Sequence, residues 1–184
     1  MTPKLSPDLK PLLKACFEFT GPLEGNVLWT YLDDADDPSI TIGRGHKLYS
    51  ALYAANVLGL DVAVVEPQWN ALKRQKPGMH ANFYQGATSL RITPEKSDEL
   101  FNSDLWQHIL NCRDYVPGFV ELPQEVQIAC VDIDFNVRGG IRTFPDMLKA
   151  IEARDWQKVS AESDRPQLPA RSEAVRKLLQ PLLV

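Results

Sequence analysis

Two acidic residues near the start of the chain are the first candidates for chemistry. Glu24 follows a Gly-Pro pair at the end of a helical pattern, and Asp33 opens an acidic turn. Two carboxylates that face one cleft from different elements suit hydrolysis of a glycosidic bond. One must be protonated to act on the leaving oxygen, and the other must be ionised to act on water or the sugar. Because the chain has 24 acidic residues, such pairs are common, and on spacing alone a solvated acidic turn is the better interpretation.

The residues around this pair form a more specific pattern. Glu24-Gly25 is followed by Tyr31 and Asp33, and then by the segment Thr41–His46, which reads TIGRGH. This order closely resembles the active-site signature of the phage-type lysozymes, in which Glu, eight residues, Asp, five residues and Thr lead into a TIGxGH segment. Eight residues separate the two carboxylates here, as in the family, but seven separate the aspartate from the threonine.

The two extra residues fall in the acidic turn and leave the second carboxylate open. Asp34, Asp36 and Asp37 lie in the same turn as Asp33, and each is an alternative to it. Tyr31 stands two residues before Asp33, as in the family, and this favours Asp33.

Later segments follow the order of the same family. The likeness covers about residues 24–176, and residues 48–88 form an insertion relative to compact members. The matching segments are Ile92–Asp104, similar to the helix that links two lobes, Leu122–Asn136, similar to the central helix of the C-terminal lobe, and then Phe144–Trp156 and Pro169–Arg171.

The resemblance implies roles for individual residues. Glu24 would be the general acid, Asp33 the ionised partner, and Thr41 would help to hold a water molecule. Arg171 would approach the catalytic glutamate, where a cation and burial have opposite effects on a carboxyl pKa. For Phe135, a place in the core is an equally good interpretation. The substrate-binding residues would be Tyr31, Leu48, Phe135 and Asn136.

His46 and Asp104 are expected to be structural. A single histidine without a Ser or Cys partner in a known motif is a poor candidate for a catalytic base. Asp104 falls inside an apolar helical stripe, where an unpaired carboxylate would be costly. We therefore expect His46 or His108 to pair with Asp104.

Metal and cofactor chemistry are not indicated. The acidic turn lacks the spacing of an EF-hand, and Walker-A, GxSxG and HExxH patterns are absent. The three cysteines contain no CxxC pair, and we interpret each as a buried free thiol, although pairing of two of them after export stays open. We expect no metal and no cofactor.

The elements that must position these residues are mostly helical. Apolar residues recur at helical spacing along most of the chain, and Thr93-Pro94 starts a helix that extends to about Cys112. Val27–Leu32 and Ser39–Arg44 are rich in β-branched and aromatic residues and predict a small antiparallel sheet. Residues 48–60 suit a helix and residues 75–86 a loop. We expect one α+β, mainly α domain over residues 1–184. With the resemblance this becomes a lysozyme-like fold, with an N-terminal sheet lobe and a helical C-terminal lobe joined by a long helix.

Charge and composition narrow the partners. The formal net charge of -4 disfavours nucleic acid, and no apolar run approaches the about 18–20 residues that span a bilayer. The N-terminal residues lack the apolar core of a signal peptide. We expect a monomer that is made in the cytoplasm and acts on the cell wall in the periplasm after release or secretion.

The resemblance implies a muramidase that cleaves peptidoglycan glycan strands, either a phage endolysin or a secreted antibacterial effector. The alternatives are a catalytically weak peptidoglycan-binding domain and a domain that docks an inhibitor or a delivery protein. Hydrolysis and transglycosylation both stay open.

Overall fold

A computed structural model describes residues 9–33 and 38–183. Most of these residues lie in helices, and the strands among them form one antiparallel sheet of three strands, which are neighbours in chain order. The expected α+β class, mainly α, is confirmed at this level. Among the described residues no helix is both long and apolar enough to cross a membrane.

Two strands lie close to their predicted positions, and a third strand, which the sequence did not predict, follows them. The strands are β1 (Val27–Leu32), β2 (Ile40–Gly43) and β3 (His46–Leu48). The α-helices of the described residues are, in chain order, α1 (Lys10–Thr20), α2 (Ala51–Leu58), α3 (Val62–Lys73), α4 (Ala81–Tyr84), α5 (Pro94–Tyr115), α6 (Gln124–Asn136), α7 (Pro145–Glu152), α8 (Trp156–Glu162) and α9 (Pro169–Leu179).

The chain divides into two compact units. The first consists of residues 1–23 and 103–184, and the second of residues 24–102. All three strands of the described sheet belong to the second unit, together with α2, α3 and α4. The first unit consists mainly of helices.

Helix α6 is the centre of the first unit. It packs against α1 and α9, and every residue from Val126 to Asp134 is buried. A helix that is buried on all sides is normally apolar throughout. Here it also includes two buried carboxylates, Asp132 and Asp134, and each needs hydrogen-bond donors to offset the loss of water.

The second unit has its own apolar core between the sheet and helices α2 and α3. Gly43, at the end of β2, has a φ of +67°, and a Cβ there would collide with the Ser97 hydroxyl. A glycine at this position thus permits both the turn after β2 and the close approach of α5.

Residues 48–88 contain more helix than the sequence predicts. The expected helix is α2, but α3 follows it at once, and α4 lies within the segment predicted to be a loop. The sequence does not predict α3, because Pro67 lies inside it and proline normally breaks a helix. The Asp61 side chain caps α3 by accepting a hydrogen bond from the Ala63 amide at 2.8 Å.

Candidate functional site

Candidate residues of the second unit share one face of the sheet. Tyr31 of β1 pairs with Thr41 of β2, and Thr41 pairs with Lys47 of β3. Cross-strand partners project to the same side of a sheet, so these three side chains lie on one face. The opposite side enters the apolar core through Leu32, Ile40 and Leu48.

Leu48 is a correction to the sequence-based assignment. It was expected to line the substrate site, but it is 3% exposed and belongs to the apolar core of the second unit. The reason is the alternation of β3, in which His46 and Leu48 are buried while Lys47 between them is exposed. The register thus places Lys47 on the same face of the sheet as Tyr31 and Thr41. The sequence analysis did not identify this lysine.

Asp33 follows β1 directly and is held by its own hairpin. Its amide donates to the carbonyl oxygen of Ser39 at 3.1 Å, and the Ser39 amide donates to its Oδ1 at 3.2 Å. The Nζ of Lys47 lies 3.9 Å from its Oδ2, and 25% of the Asp33 side chain stays exposed. The alternative carboxylates Asp34, Asp36 and Asp37 lie outside the described residues.

The phenol of Tyr31 is influenced by both candidate carboxylates, Asp33 and Glu24. The pKa of its phenol is raised to about 12, first by burial and then by the negative charges of Asp33 and Glu24. Both candidate carboxylates thus act on the same phenol. Glu24 itself is half-buried, so its surroundings differ from bulk water.

Thr41 is fully buried, and its hydroxyl donates to the carbonyl oxygen of Ser39 at 3.3 Å. A hydroxyl has one proton to donate and two lone pairs that accept. With the proton directed to Ser39, Thr41 has only acceptor lone pairs left for a ligand. A water molecule bound to Thr41 would have to donate to it.

Two predicted substrate-binding residues, Phe135 and Asn136, end α6 in the first unit. Both are half-buried. The Phe135 ring lies edge-on to the His108 ring, with centroids 5.1 Å apart. The Asn136 amide donates to the backbone carbonyl of Asp132 at 2.8 Å. Phe135 thus packs at the margin of the core and keeps part of its surface exposed.

Arg171 binds a carboxylate that sequence reasoning did not single out. Its guanidinium donates to Oδ1 of Asp132 at 2.7 Å and to the carbonyl oxygen of Leu23 at 3.1 Å. Leu23 directly precedes Glu24 in the chain. Arg171 thereby fixes the backbone at the point where the segment containing Glu24 begins.

The sequence analysis also missed the two buried aspartates of α6. Asp132 accepts hydrogen bonds from the side chains of Thr20, Arg165 and Arg171. Asp134 accepts from His108, Asn111 and the amide of Ile141. A signal was present, because both aspartates interrupt an otherwise apolar run, where a carboxylate requires donors.

Burial alone would raise the pKa of Asp134, but its hydrogen bonds from His108, Ile141 and Asn111 hold that pKa below its ordinary value. The His108 Nδ1 lies 2.7 Å from Asp134 Oδ2. This is the partner that the structure shows for His108, which had been one of two candidates to pair with Asp104.

His46 and Asp104, the two residues expected to be structural, belong to different units. His46 is 7% exposed, and its Nε2 lies 3.1 Å from the Tyr53 hydroxyl. Asp104 is half-buried. A pairing of Asp104 with His46 stays a prediction.

Metal and thiol chemistry find no support in the described part of the chain. It contains no group of three or more His, Cys, Asp or Glu side chains that could hold a metal ion. Cys16, Cys112 and Cys130 are buried, as predicted, and are free. Burial raises the pKa of all three thiols, that of Cys16 to about 12. Since the thiolate is the nucleophile, these thiols are inert at neutral pH.

The structure thus brings Glu24, Tyr31, Asp33 and Thr41 together in the second unit, and holds Phe135, Asn136 and Arg171 in the first. Neither a protein-family model nor a curated protein matches this chain.

Proposed function

We propose that the chain is a peptidoglycan hydrolase of the muramidase type, with the fold of the phage-type lysozymes. It would cleave the β-1,4 bond between N-acetylmuramic acid and N-acetylglucosamine. The observation that carries this proposal is the arrangement around Tyr31, whose phenol is within electrostatic reach of both Glu24 and Asp33. Glycosidases need two carboxylates of unlike environment around one bond.

The surroundings of the two carboxylates support different roles. Burial disfavours a charge, so the half-buried Glu24 suits the acid. Asp33 keeps 25% of its side chain exposed, 3.9 Å from the Lys47 ammonium, and suits the partner that receives the proton of a water molecule. Glu24 would give its proton to the glycosidic oxygen as the bond from that oxygen to the anomeric carbon breaks. A water molecule would attack that carbon and pass its proton to Asp33.

Delivery to the cell wall follows from the same proposal. The chain would reach peptidoglycan either as a phage endolysin or as an antibacterial effector carried by a secretion system. Both routes place the same chemistry in the periplasm, on glycan strands as the substrate.

A second candidate function is peptidoglycan binding with weak or no catalysis. The burial of Thr41 favours it, because the hydroxyl already donates its proton to Ser39. The longer connection between Asp33 and Thr41 favours it as well. On this alternative the sheet face would hold a glycan strand without cleaving it.

The test compares the wild-type chain with Glu24→Gln and with Glu66→Gln, on Gram-negative cell walls stripped of their outer membrane. Glu66 is an exposed glutamate on α3 and serves as the matched control. We expect the rate of clearing to fall about 100-fold or more in Glu24→Gln, since general acid catalysis contributes about that much. Glu66→Gln should clear walls at the wild-type rate.

Mass spectrometry of the digested wall identifies the reaction. Muramic acid at the reducing end supports hydrolysis, an anhydro sugar indicates a lytic transglycosylase, and free peptides indicate an amidase. A wild-type chain that binds the wall but releases no new reducing ends would favour the second candidate. Equal loss of activity in both variants would remove Glu24 from the mechanism.

A further inference from the structure

A buried hydroxyl on α5 holds the segment that follows Glu24. Ser97 is fully buried, and its hydroxyl donates to Oδ1 of Asn26 at 2.7 Å. A serine inside a helix commonly directs its hydroxyl to the backbone carbonyl four residues earlier. The Ser97 hydroxyl instead reaches a side chain 71 residues away in the chain. Since a hydroxyl has one proton to donate, this bond commits it to Asn26, two residues after Glu24.

Three elements of the second unit approach closely around this bond. Gly43 ends β2, and a Cβ at this glycine would stand 2.7 Å from the Ser97 Oγ. Gly43 is also the cross-strand partner of Val27, which follows Asn26 and begins β1. Asn26 consequently lies where the start of β1, the end of β2 and the first turns of α5 meet.

The regular pairing of the sheet does not reach this point unbroken. Tyr31 pairs with Thr41, but the register shifts between Tyr31 and Val27. The pairing that sets Tyr31 and Thr41 on one face therefore does not determine where the residues before Val27 lie. At Gly25, a Cβ would meet no heavy atom of the described residues within 4 Å, its chain neighbours aside, so packing does not fix that residue. The bond from Ser97 supplies a fixed point in this segment.

We propose that Ser97 and Asn26 are positioning residues for Glu24, because their hydrogen bond fixes the segment that includes the acid relative to the three-stranded sheet. The inference rests on the proposed function. Two residues span at most about 7 Å of chain, so a fixed Asn26 limits where Glu24 can stand. A general acid must meet its target oxygen at hydrogen-bond distance, and a displacement of about 1 Å can lower the rate about 100-fold.

Cleavage of a peptide-free peptidoglycan octasaccharide tests the positioning role. We expect Ser97→Ala to lower kcat about tenfold and to leave KM nearly unchanged, because the substrate still binds while the acid is displaced. Asn26→Ala should lower kcat by the same factor. Asn26 is exposed, so this variant tests the same bond if Ser97→Ala does not fold. The double variant should be no slower than either single variant, because each removes the same hydrogen bond.

Ser163→Ala is the matched control. Ser163 is also fully buried, and its hydroxyl donates to the carbonyl oxygen of Ser160 at 2.8 Å, but it lies in the first unit. Both serine variants lose one buried hydrogen bond, so their melting temperatures should fall by similar amounts. Rates are measured well below these temperatures and per folded chain, as determined by circular dichroism. Under these conditions Ser163→Ala should keep the wild-type kcat.

The outcomes separate this inference from the proposed function. If the wild-type chain cleaves the octasaccharide and Ser97→Ala or Asn26→Ala keeps the wild-type kcat, the positioning role is wrong while the muramidase proposal stands. Equal losses of kcat in Ser97→Ala and Ser163→Ala, or additive losses in the double variant, would also overturn the positioning role. If the wild-type chain cleaves neither the cell wall nor the octasaccharide, both proposals fail.

Discussion

The carboxylates of the two units differ in how fully their surroundings satisfy them. In the first unit, Asp132 is 0% exposed and accepts from three side chains, and Asp134 is 6% exposed with three donors of its own. In the second unit, Asp33 keeps 25% of its side chain exposed, and among the described residues the Ser39 amide and the Lys47 ammonium lie beside its carboxylate. The aspartates of the first unit thus stabilise the fold, whereas Asp33 can still meet a ligand.

This contrast shows what identifies a candidate catalytic carboxylate in an acidic chain. Residue type does not separate Asp33 from Asp132, because both are aspartates with a cationic neighbour. The exposed fraction does separate them, because it is 25% for the Asp33 side chain and 0% for that of Asp132. A carboxylate that accepts several strong hydrogen bonds in the interior is costly to disturb, and it is inaccessible to water and sugar.

The largest expected effect comes from Asp132. In Asp132→Asn the guanidiniums of Arg165 and Arg171 lose the negative charge of Asp132 while they stay buried, at 3% and 7% exposure. Removing one partner of a buried ion pair typically costs about 3–5 kcal/mol of unfolding free energy. Urea denaturation followed by circular dichroism measures the loss.

Thr20→Val is the smaller companion change at the same cluster. It removes one hydroxyl from Asp132 Oδ1 and leaves both ion pairs in place, so we expect a loss of about 1 kcal/mol. This variant keeps the prediction testable if Asp132→Asn does not fold. If the unfolding free energy of both variants stayed near that of the wild type, the hydrogen bonds of Asp132 would not stabilise the first unit. The proposed difference between the carboxylates of the two units would then be wrong.

Replacing Asp134 by asparagine should lower the stability of the fold by an intermediate amount that depends on pH. Because its hydrogen bonds lower its pKa in the folded state, Asp134 contributes stability above its unfolded pKa of about 3.9, and this stability is lost as the pH falls through the folded value. We expect Asp134→Asn to cost about 1–3 kcal/mol at neutral pH, and the difference from wild type to shrink below about pH 4.

Denaturation curves collected from neutral to acidic pH test this dependence. Asp146→Asn on α7 is the control, because Asp146 is exposed and its partner is the exposed Lys149. It should leave the unfolding curve near that of the wild type. A difference for Asp134→Asn that stays constant down to low pH would contradict the assignment of the stability to the ionised carboxylate.

The sequence anticipates the parts of this structure that depend on local pattern. Alternation and β-propensity locate β1 and β2, and Thr93-Pro94 locates the start of α5, because each signal acts within a few residues. The burial of Leu48, the partners of Asp132 and the hydrogen bond from Ser97 to Asn26 depend on residues far away in the chain or on strand register. Spacing alone does not specify such contacts. Within the site, the sequence picks out Glu24, Tyr31 and Asp33 but not Lys47.

The smallest effect on stability is expected for Asp33→Asn. Its contact with Lys47 is long and partly exposed, and such ion pairs contribute about 0–1 kcal/mol. The amide oxygen of asparagine can still accept the hydrogen bond from the Ser39 amide. We therefore expect the free energy of unfolding, measured by urea denaturation, to fall by less than about 1 kcal/mol. The rate of wall clearing should fall strongly.

Lys47→Gln is the control, because it removes the same ion pair and keeps the carboxylate of Asp33. It should have the same stability as Asp33→Asn and retain far more wall-clearing activity. If Asp33→Asn instead destabilised the chain as strongly as Asp134→Asn, Asp33 would be a structural carboxylate like those of the first unit.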